Sequence, residues 1–325
     1  MDASVEAPIP VRNLDRPAVR AARDAERALW LHFGLDMTER DIEVREPRRR
    51  VRVLECGNPR GLPLVFVQGG LGEALLWTSL LARLREFRCL TLDRPGGGFS
   101  EGVDFMAVDV RALAVDVLAG VLDAAGVDRA PFIANSMGAW WTLQLALRRP
   151  DRVTGMVMLG CPAVILNTSA PLPMRLIGVP GLGRLLARAM VPANARKARN
   201  RPTVLAHPSQ VGRDWSEVEA EAVYRFAILP DAPRSWRTLL GRFLRLAGSS
   251  PEMRITEDEL RRISQPTVFG WGCNDPFGSV ETGRHAAGLM ASARLEIVGC
   301  GHLPWLDDPD GCARLVRAHV AATSR

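Results

Sequence analysis

Residues 131–147, PFIANSMGAWWTLQLAL, decide the fold. A short apolar run of the kind that forms a buried strand stops abruptly at 134–138, and a helical pattern begins at once. A serine at such a corner has a chemical use. The strand-to-helix turn is so sharp that the residues two before and two after the serine must be small, and these places hold Ala134 and Gly138. The turn lifts the Ser136 oxygen into open space. It also leaves the Met137 N–H at the start of the helix, where it can donate to an oxyanion. Serine is also a common helix N-cap, so the corner needs partners elsewhere in the chain.

Outward from this corner the same strand–loop–helix unit recurs. On its N-terminal side, LPLVFVQGGLGEALLW has a continuous apolar run at 64–67, then glycines, then a helical stretch over about 73–85. FRCLTLDRPGGGFS is a second strand with a glycine-rich loop, and RVTGMVMLGCPA beyond the corner is another strand. Continuous apolar runs fit strands covered on both faces, and their alternation with helices predicts a mostly parallel, doubly wound α/β sheet. DIEVRE and RRRVRVLECG alternate apolar and polar residues instead and predict an antiparallel pair at a sheet edge. Before them, 17–35 reads as an amphipathic helix with Leu29, Trp30 and Phe33 near one face. From about 167 to 263 strands vanish in favour of helical pieces broken by proline and glycine. The strand rhythm then returns. One α/β domain with a helical insertion explains this pattern, which predicts a tail and helix at 1–40, core at 41–166, a helical cap at 167–263 and core again at 264–325.

An acid and a histidine stand where a serine at such a corner would need them. Asp275 follows TVFGWG, and His302 follows LEIVGC 27 residues later, which leaves room for one helix and one strand between them. Both read as loop residues after late strands. His32, His207, His285 and His319 lack that setting and read as structural. Asp307 and Asp308 read as helix-capping residues before Pro309, and Asp93 as a turn residue closing a strand.

Composition bounds the partners. The chain has 325 residues, 47% of them hydrophobic, enough for a sizeable core. No apolar run approaches the roughly 18 residues of a membrane span. Early acids and the lack of an apolar segment at the N-terminus give the cytoplasm as the expected location. Six cysteines without a CxxC pair argue against a disulfide scaffold or a zinc site. Residues 166–265 carry 16 Arg/Lys against 9 Asp/Glu, whereas the whole chain is only +6. A basic middle segment suits an anionic small-molecule substrate. No RNA- or DNA-binding motif accompanies the charge, so no nucleic-acid partner is expected.

Taken in order, QGGLG, DRPGGGFS, ANSMGA, GCNDPF and GHLPWLDDP resemble the oxyanion loop, D-x-P-G-x-G-x-S loop, nucleophile elbow, acid loop and histidine loop of the α/β-hydrolase superfamily. The resemblance runs from about residue 42 to the C-terminus and is closest to small cap-bearing esterases and carbon–carbon bond hydrolases. It implies an α/β-hydrolase fold with a cap inserted after the sixth strand and a catalytic triad of Ser136, Asp275 and His302. It also implies an oxyanion hole made by the backbone N–H groups of Met137 and Gly70. No metal or organic cofactor is expected. Gly69 and Leu71, on either side of Gly70, are expected substrate contacts. Trp140, Trp215, Trp236 and Phe226 are candidates for an apolar acyl pocket, against a core reading that applies to each. The sequence departs from the family in Gln68, where the oxyanion loop usually has histidine, and in Ala134, where the elbow usually begins with glycine. A serine at the elbow, with Tyr224 the only tyrosine, sets epoxide hydrolases and haloalkane dehalogenases aside. The expected reaction is hydrolysis of a carboxylic ester, thioester or lactone. The alternative is carbon–carbon bond hydrolysis of an acidic diketone, and an alternative of another class is a ligand-binding protein that has lost catalysis.

Overall fold

Eight of the strands lie side by side in one sheet, in which the inner parallel strands are buried nearly throughout and the two edge strands are largely exposed. The computed structural model describes residues 16–323 apart from 46–47, 71–72, 180, 190 and 230–231. The strands are β1 (Thr38–Arg45), β2 (Arg48–Gly57), β3 (Pro63–Val67), β4 (Arg88–Leu92), β5 (Ala130–Ala134), β6 (Val153–Leu159), the two-residue β7 (Leu244–Arg245) and β8 (Gly248–Ser249), β9 (Thr267–Trp271) and β10 (Ala293–Ile297). The main sheet has the order β1-β2-β4-β3-β5-β6-β9-β10, with β7 and β8 paired separately. β1 and β2 form the predicted antiparallel edge pair, β2 runs antiparallel to β4, and the remaining neighbours are parallel.

Successive residues of a strand point to opposite faces, and the core divides accordingly. Val65, Phe132 and Met156 pack with the helices Val110–Ala124 and Ser136–Arg148 on one face. Leu64, Ile133 and Val157 pack with Trp77, Trp305 and the closing helix Pro309–Thr323 on the other. The segment read as one helix over 73–85 is instead a 3-10 turn, Ala74–Trp77, followed by the short helix Thr78–Leu81. Its apolar residues are buried all round, with Trp77 stacked on Trp305 at 4.1 Å, so packing rather than an amphipathic stripe shapes it. Among the described residues no helix is long and apolar enough to cross a membrane.

Between β6 and β9 the chain forms short helices, from Leu172–Ile177 to Ala232–Phe243. Several breaks fall at Pro or Gly, and two of the new starts are capped by side chains. Asn194 accepts the Lys197 N–H, and Ser216 with Glu219 makes a reciprocal capping box.

The N-terminal helix Pro17–His32 buries Val19, Ala22, Leu29 and Trp30, and also Glu26. Glu26 accepts two hydrogen bonds from Arg52 of β2, at 2.8 and 3.1 Å, and Arg52 also reaches Asp93 at 3.1 Å. One guanidinium thus sits between two fully buried carboxylates, which favours a proton on one of them. Burial, aided by the charge of Asp93 and opposed by Arg52 and Arg23, pushes the Glu26 carboxyl up to about 7. In the unfolded chain Glu26 titrates at its ordinary value of 4.5. The folded state therefore holds the extra proton between these values. The stability contributed is complete below the unfolded value and is lost as pH rises through the folded one. Glu26→Gln is expected to flatten this fall in urea unfolding measured between about pH 5 and 8. Identical slopes in both proteins would refute the assignment.

Candidate active site

Ser136 sits at the predicted corner, between β5 and the helix Ser136–Arg148, with φ of 50°. A non-glycine residue in this left-handed region costs about 1–3 kcal/mol and persists only where the surroundings enforce it. The enforcement is visible on both sides. Ala134 is fully buried, and a Cβ on Gly138 would collide with the Val67 carbonyl of β3. Asn135, which the sequence reading passed over, ties the corner to its neighbours. Its Nδ2 donates to the Leu159 carbonyl at 2.6 Å and to the His302 carbonyl at 3.0 Å. One side chain thus links the ends of β5 and β6 to the loop that carries His302.

Asp275 follows β9 and His302 follows β10, and parallel pairing of the two strands brings the loops together. His302 Nδ1 lies 2.8 and 3.0 Å from the two Asp275 carboxylate oxygens. The same carboxylate accepts the Cys161 N–H at 2.8 Å and the Phe277 N–H at 2.9 Å. Burial pushes the Asp275 carboxyl up, but the His302 ring beside it and these hydrogen bonds outweigh burial and hold it below its ordinary value. It is therefore an acceptor, and the Nδ1 it faces carries a hydrogen. That leaves Nε2 as the basic nitrogen. Nε2 is buried without a hydrogen-bond partner among the described residues, and His302 lines the same cavity as Ser136. Phe277 lies against the imidazole with ring centroids 4.1 Å apart.

The loop after β3 carries Gln68, Gly69 and Gly70, all at the cavity wall. Gly70 has φ of 55°, and a Cβ on Gly69 would strike the Asn135 and Ser136 side chains, so the glycines permit both the turn and the approach to the corner. Arg94 fixes this loop. Its Nε donates to the Gln68 carbonyl at 2.9 Å and its Nη2 to the Gly70 carbonyl, while the guanidinium lies 4.9 Å from the centre of the Trp141 ring. Burial lowers the Arg94 guanidinium to about 9, with Glu73 opposing. The Gly69–Gly70 peptide is thereby held between two pinned neighbours. Gln68 in place of histidine is thus accompanied by an arginine that anchors the loop from outside it. Asp93, expected to be a simple turn residue, is a buried hub. Its carboxylate accepts N–H groups from Ala74 at 2.9 Å and Phe99 at 2.8 Å besides its contact with Arg52.

The cavity encloses about 590 Å³ between this wall and the helices that follow β6. Its lining is mainly apolar, with Met174, Val204, Val223 and Trp236 contributed by those helices. Besides Gln68, Asn135, Ser136 and His302, its polar groups are Lys197, Asn200 and Arg201 from the helices and Glu73. Arg201 lies 3.6 Å from Glu73, whereas Lys197 has no carboxylate partner among the described residues. Trp236 therefore lines the cavity, whereas Trp140, Trp215 and Phe226 do not: the core reading holds for these three, and their candidacy for an acyl pocket is corrected. Trp140 is fully buried behind Ser136 with its indole N–H on the Met253 carbonyl at 2.7 Å. Trp215 and Phe226 are used in docking the N-terminal helix, where Phe226 meets Phe99 edge-on at 5.1 Å. Leu71 lies outside the described residues. His207, read as structural, braces the histidine loop from the helical side: it accepts the Leu303 N–H at 3.0 Å, with Asp307 3.4 Å from its other nitrogen. Asp308 caps the closing helix through the Gly311 N–H at 2.8 Å, whereas Asp307 accepts the Cys300 N–H instead.

The model of the alpha/beta hydrolase family matches residues 64–315, and the chain belongs to that family. It is an enzyme of the hydrolase class. Among curated relatives it is 27% identical over 274 residues to the 2-hydroxy-6-oxo-2,4-heptadienoate hydrolase of Pseudomonas putida, a match covering 81% of this chain and 90% of the relative. It is 25% identical over 293 residues to a 2-hydroxy-6-oxononadienedioate/2-hydroxy-6-oxononatrienedioate hydrolase of Klebsiella pneumoniae, covering 87% and 96% respectively. The crystal structure of carboxylesterase CesB from Bacillus subtilis superposes with a TM-score of 0.72 at 19% identity, over 94% of this chain and 98% of that one, and shares the fold.

Proposed function

We propose that this chain is a serine hydrolase in which Ser136, His302 and Asp275 form the catalytic triad and the helices at 167–263 form a lid over the substrate. The observation that carries the reading is the strained Ser136 facing the cavity that His302 also lines, with Asp275 fixing the imidazole. In this reading Ser136 Oγ attacks a carbonyl carbon while His302 Nε2 takes its proton, and Asp275 stabilises the imidazolium. The N–H groups of Met137 and Gly70 hold the oxyanion, each donor being worth roughly 10²- to 10³-fold in rate. His302 returns the proton to the leaving group, and water then hydrolyses the acyl-enzyme.

For the bond cleaved, the names of the curated relatives favour carbon–carbon hydrolysis of an acidic dienoate over the ester hydrolysis that the motifs alone put first. In such a reaction the electron pair of the broken bond passes into the conjugated chain, which His302 protonates. The substrate carboxylate is met by Lys197, which lines the cavity with no acidic partner among the described residues. Ester, thioester or lactone hydrolysis is the second reading, supported by the apolar lining around Met174, Val223 and Trp236. A cytoplasmic setting belongs to the same proposal, supported by six free cysteines.

The test compares a 2-hydroxy-6-oxo-2,4-dienoate, followed by loss of its absorbance, with p-nitrophenyl butyrate. The dienoate is expected to show at least a tenfold higher kcat/KM, and Lys197→Ala to raise its KM by about 10- to 100-fold, as expected for one lost charge-assisted contact, while sparing the neutral ester. Equal kcat/KM values, or an equal effect of Lys197→Ala on both substrates, would move the assignment to ester hydrolysis.

A further inference from the structure

Four of the six cysteines, Cys56, Cys89, Cys161 and Cys312, are buried. Cys56 and Cys89 even face each other across β2 and β4, but neither is open to a reagent. Cys273 and Cys300 differ. Their Sγ atoms are 3.3 Å apart, with Cys273 exposed and Cys300 half-buried. They lie on the loops that leave the adjacent strands β9 and β10, laced together by the Asn274 N–H on the Cys300 carbonyl at 2.8 Å and the Cys273 N–H on the Gly299 carbonyl at 3.3 Å. Each stands two residues before a group of the site: Cys273 before Asp275, and Cys300 before His302. The two sulfurs are an outer rung on the same pair of loops whose inner rung is the Asp275–His302 hydrogen bond.

We propose that Cys273 and Cys300 are a reversible dithiol–disulfide pair whose oxidation staples the acid loop to the histidine loop and lowers turnover by shifting Asp275 against His302. The effect on turnover rests on the triad reading above; formation of the bond does not. A disulfide needs its sulfurs about 2.05 Å apart, so closure draws the loops together by roughly an ångström two residues from each end of the inner hydrogen bond. Misplacement of that size in a catalytic group can cost on the order of 10²-fold. The oxidant is a small-molecule disulfide. The hydrogen bond to Cys273, then burial and the neighbouring charges of Cys273 and Asp307, push the Cys300 thiol up to about 11. The exposed Cys273 is the sulfur a small disulfide can reach, and its thiolate attacks one sulfur of that disulfide, releasing one thiolate. Cys300, on losing its proton, attacks the Cys273 sulfur of the mixed disulfide and releases the second. The protein loses two electrons and two protons, and the small disulfide becomes two thiols.

Full-length protein would be incubated with oxidised glutathione, digested with trypsin without reduction, and mapped by mass spectrometry, with kcat measured on the same samples before and after dithiothreitol. We expect a cross-link between peptides 263–284 and 295–314, with fragmentation placing the bond at Cys300 rather than Cys312, which the second peptide also contains. kcat should fall about tenfold, with KM little changed, and recover on reduction. Cys273→Ser and Cys300→Ser should match the reduced wild type and ignore the oxidant. Absence of the cross-linked peptide, or a complete cross-link with kcat unchanged, overturns the inference. A reduced protein that leaves Ser136 unlabelled by a fluorophosphonate overturns the triad reading instead, and the cross-link is still decided by mass.

Discussion

Replacing Ser136 by alanine is expected to lower kcat by on the order of 10⁴- to 10⁶-fold, the range spanned by removal of single members of a comparable triad, and to abolish fluorophosphonate labelling of the chain. The residual rate comes from whatever the oxyanion donors and substrate binding supply without a nucleophile. His302→Ala should lose the label as well, because the Ser136 hydroxyl is then left without a base. Loss of fold is excluded as an explanation by a companion variant. Ser136 holds φ of 50°, a region glycine enters without steric cost, whereas alanine there is as strained as serine. Ser136→Gly should therefore be equally inactive yet as stable as the wild type or more so. Any gain is bounded by the strain relieved, since glycine also adds unfolded-state entropy. Turnover above about a hundredth of wild type in Ser136→Ala would remove Ser136 as nucleophile. A clear drop in the melting temperature of Ser136→Gly would show that the corner stores no strain.

The parts of this molecule that were legible in its sequence are those where backbone geometry restricts residue type. The corner at 134–138 admits only small residues around the serine because β3 lies against Gly138, and Asp275 follows β9, a strand buried along its whole length, whereas His302 follows the largely exposed edge strand β10. The doubly wound sheet and its antiparallel edge follow from the same patterns. What failed depended on direction or on contacts between distant segments. A tryptophan has the same hydrophobicity whether it faces a cavity or a core. Trp140 stands one helical turn after Ser136 but spends its indole N–H on Met253, far along the chain. Arg94 was invisible as the anchor of the Gln68–Gly70 loop because its partners are carbonyls, which any residue possesses. A charged side chain inside an otherwise apolar, glycine-rich stretch was the available signal. The contact between Cys273 and Cys300 joins residues 27 apart, with no CxxC spacing to announce it. Substrate class was illegible for a chemical reason: ester and carbon–carbon hydrolysis ask the same triad and oxyanion donors for the same proton transfers, and differ in the groups that hold the rest of the substrate.

Replacing Arg52 by leucine is expected to cost about 3–5 kcal/mol of stability, the usual consequence of leaving a buried charge uncompensated. The guanidinium is 1% exposed and holds Glu26 at 2.8 Å, Asp93 at 3.1 Å and Glu39 at 2.6 Å, with Phe99 4.9 Å from its centre. Its removal leaves Glu26 and Asp93, both fully buried, without the guanidinium that hydrogen-bonds to both. The two carboxylates are not equivalent in what they can give up. Asp93 accepts the N–H groups of Ala74 and Phe99 besides the Arg52 contact, whereas Glu26 has no hydrogen-bond partner but Arg52 among the described residues. The proton should therefore go to Glu26, and the loss should be smaller at low pH than above neutrality. By the same reasoning the double variant Glu26→Gln with Arg52→Leu should recover part of the loss, a non-additivity expected only for groups in direct contact. Urea unfolding of the four proteins measures it. A loss below about 1 kcal/mol in Arg52→Leu, or strict additivity in the double variant, would mean that the cluster does not hold the N-terminal helix on the sheet.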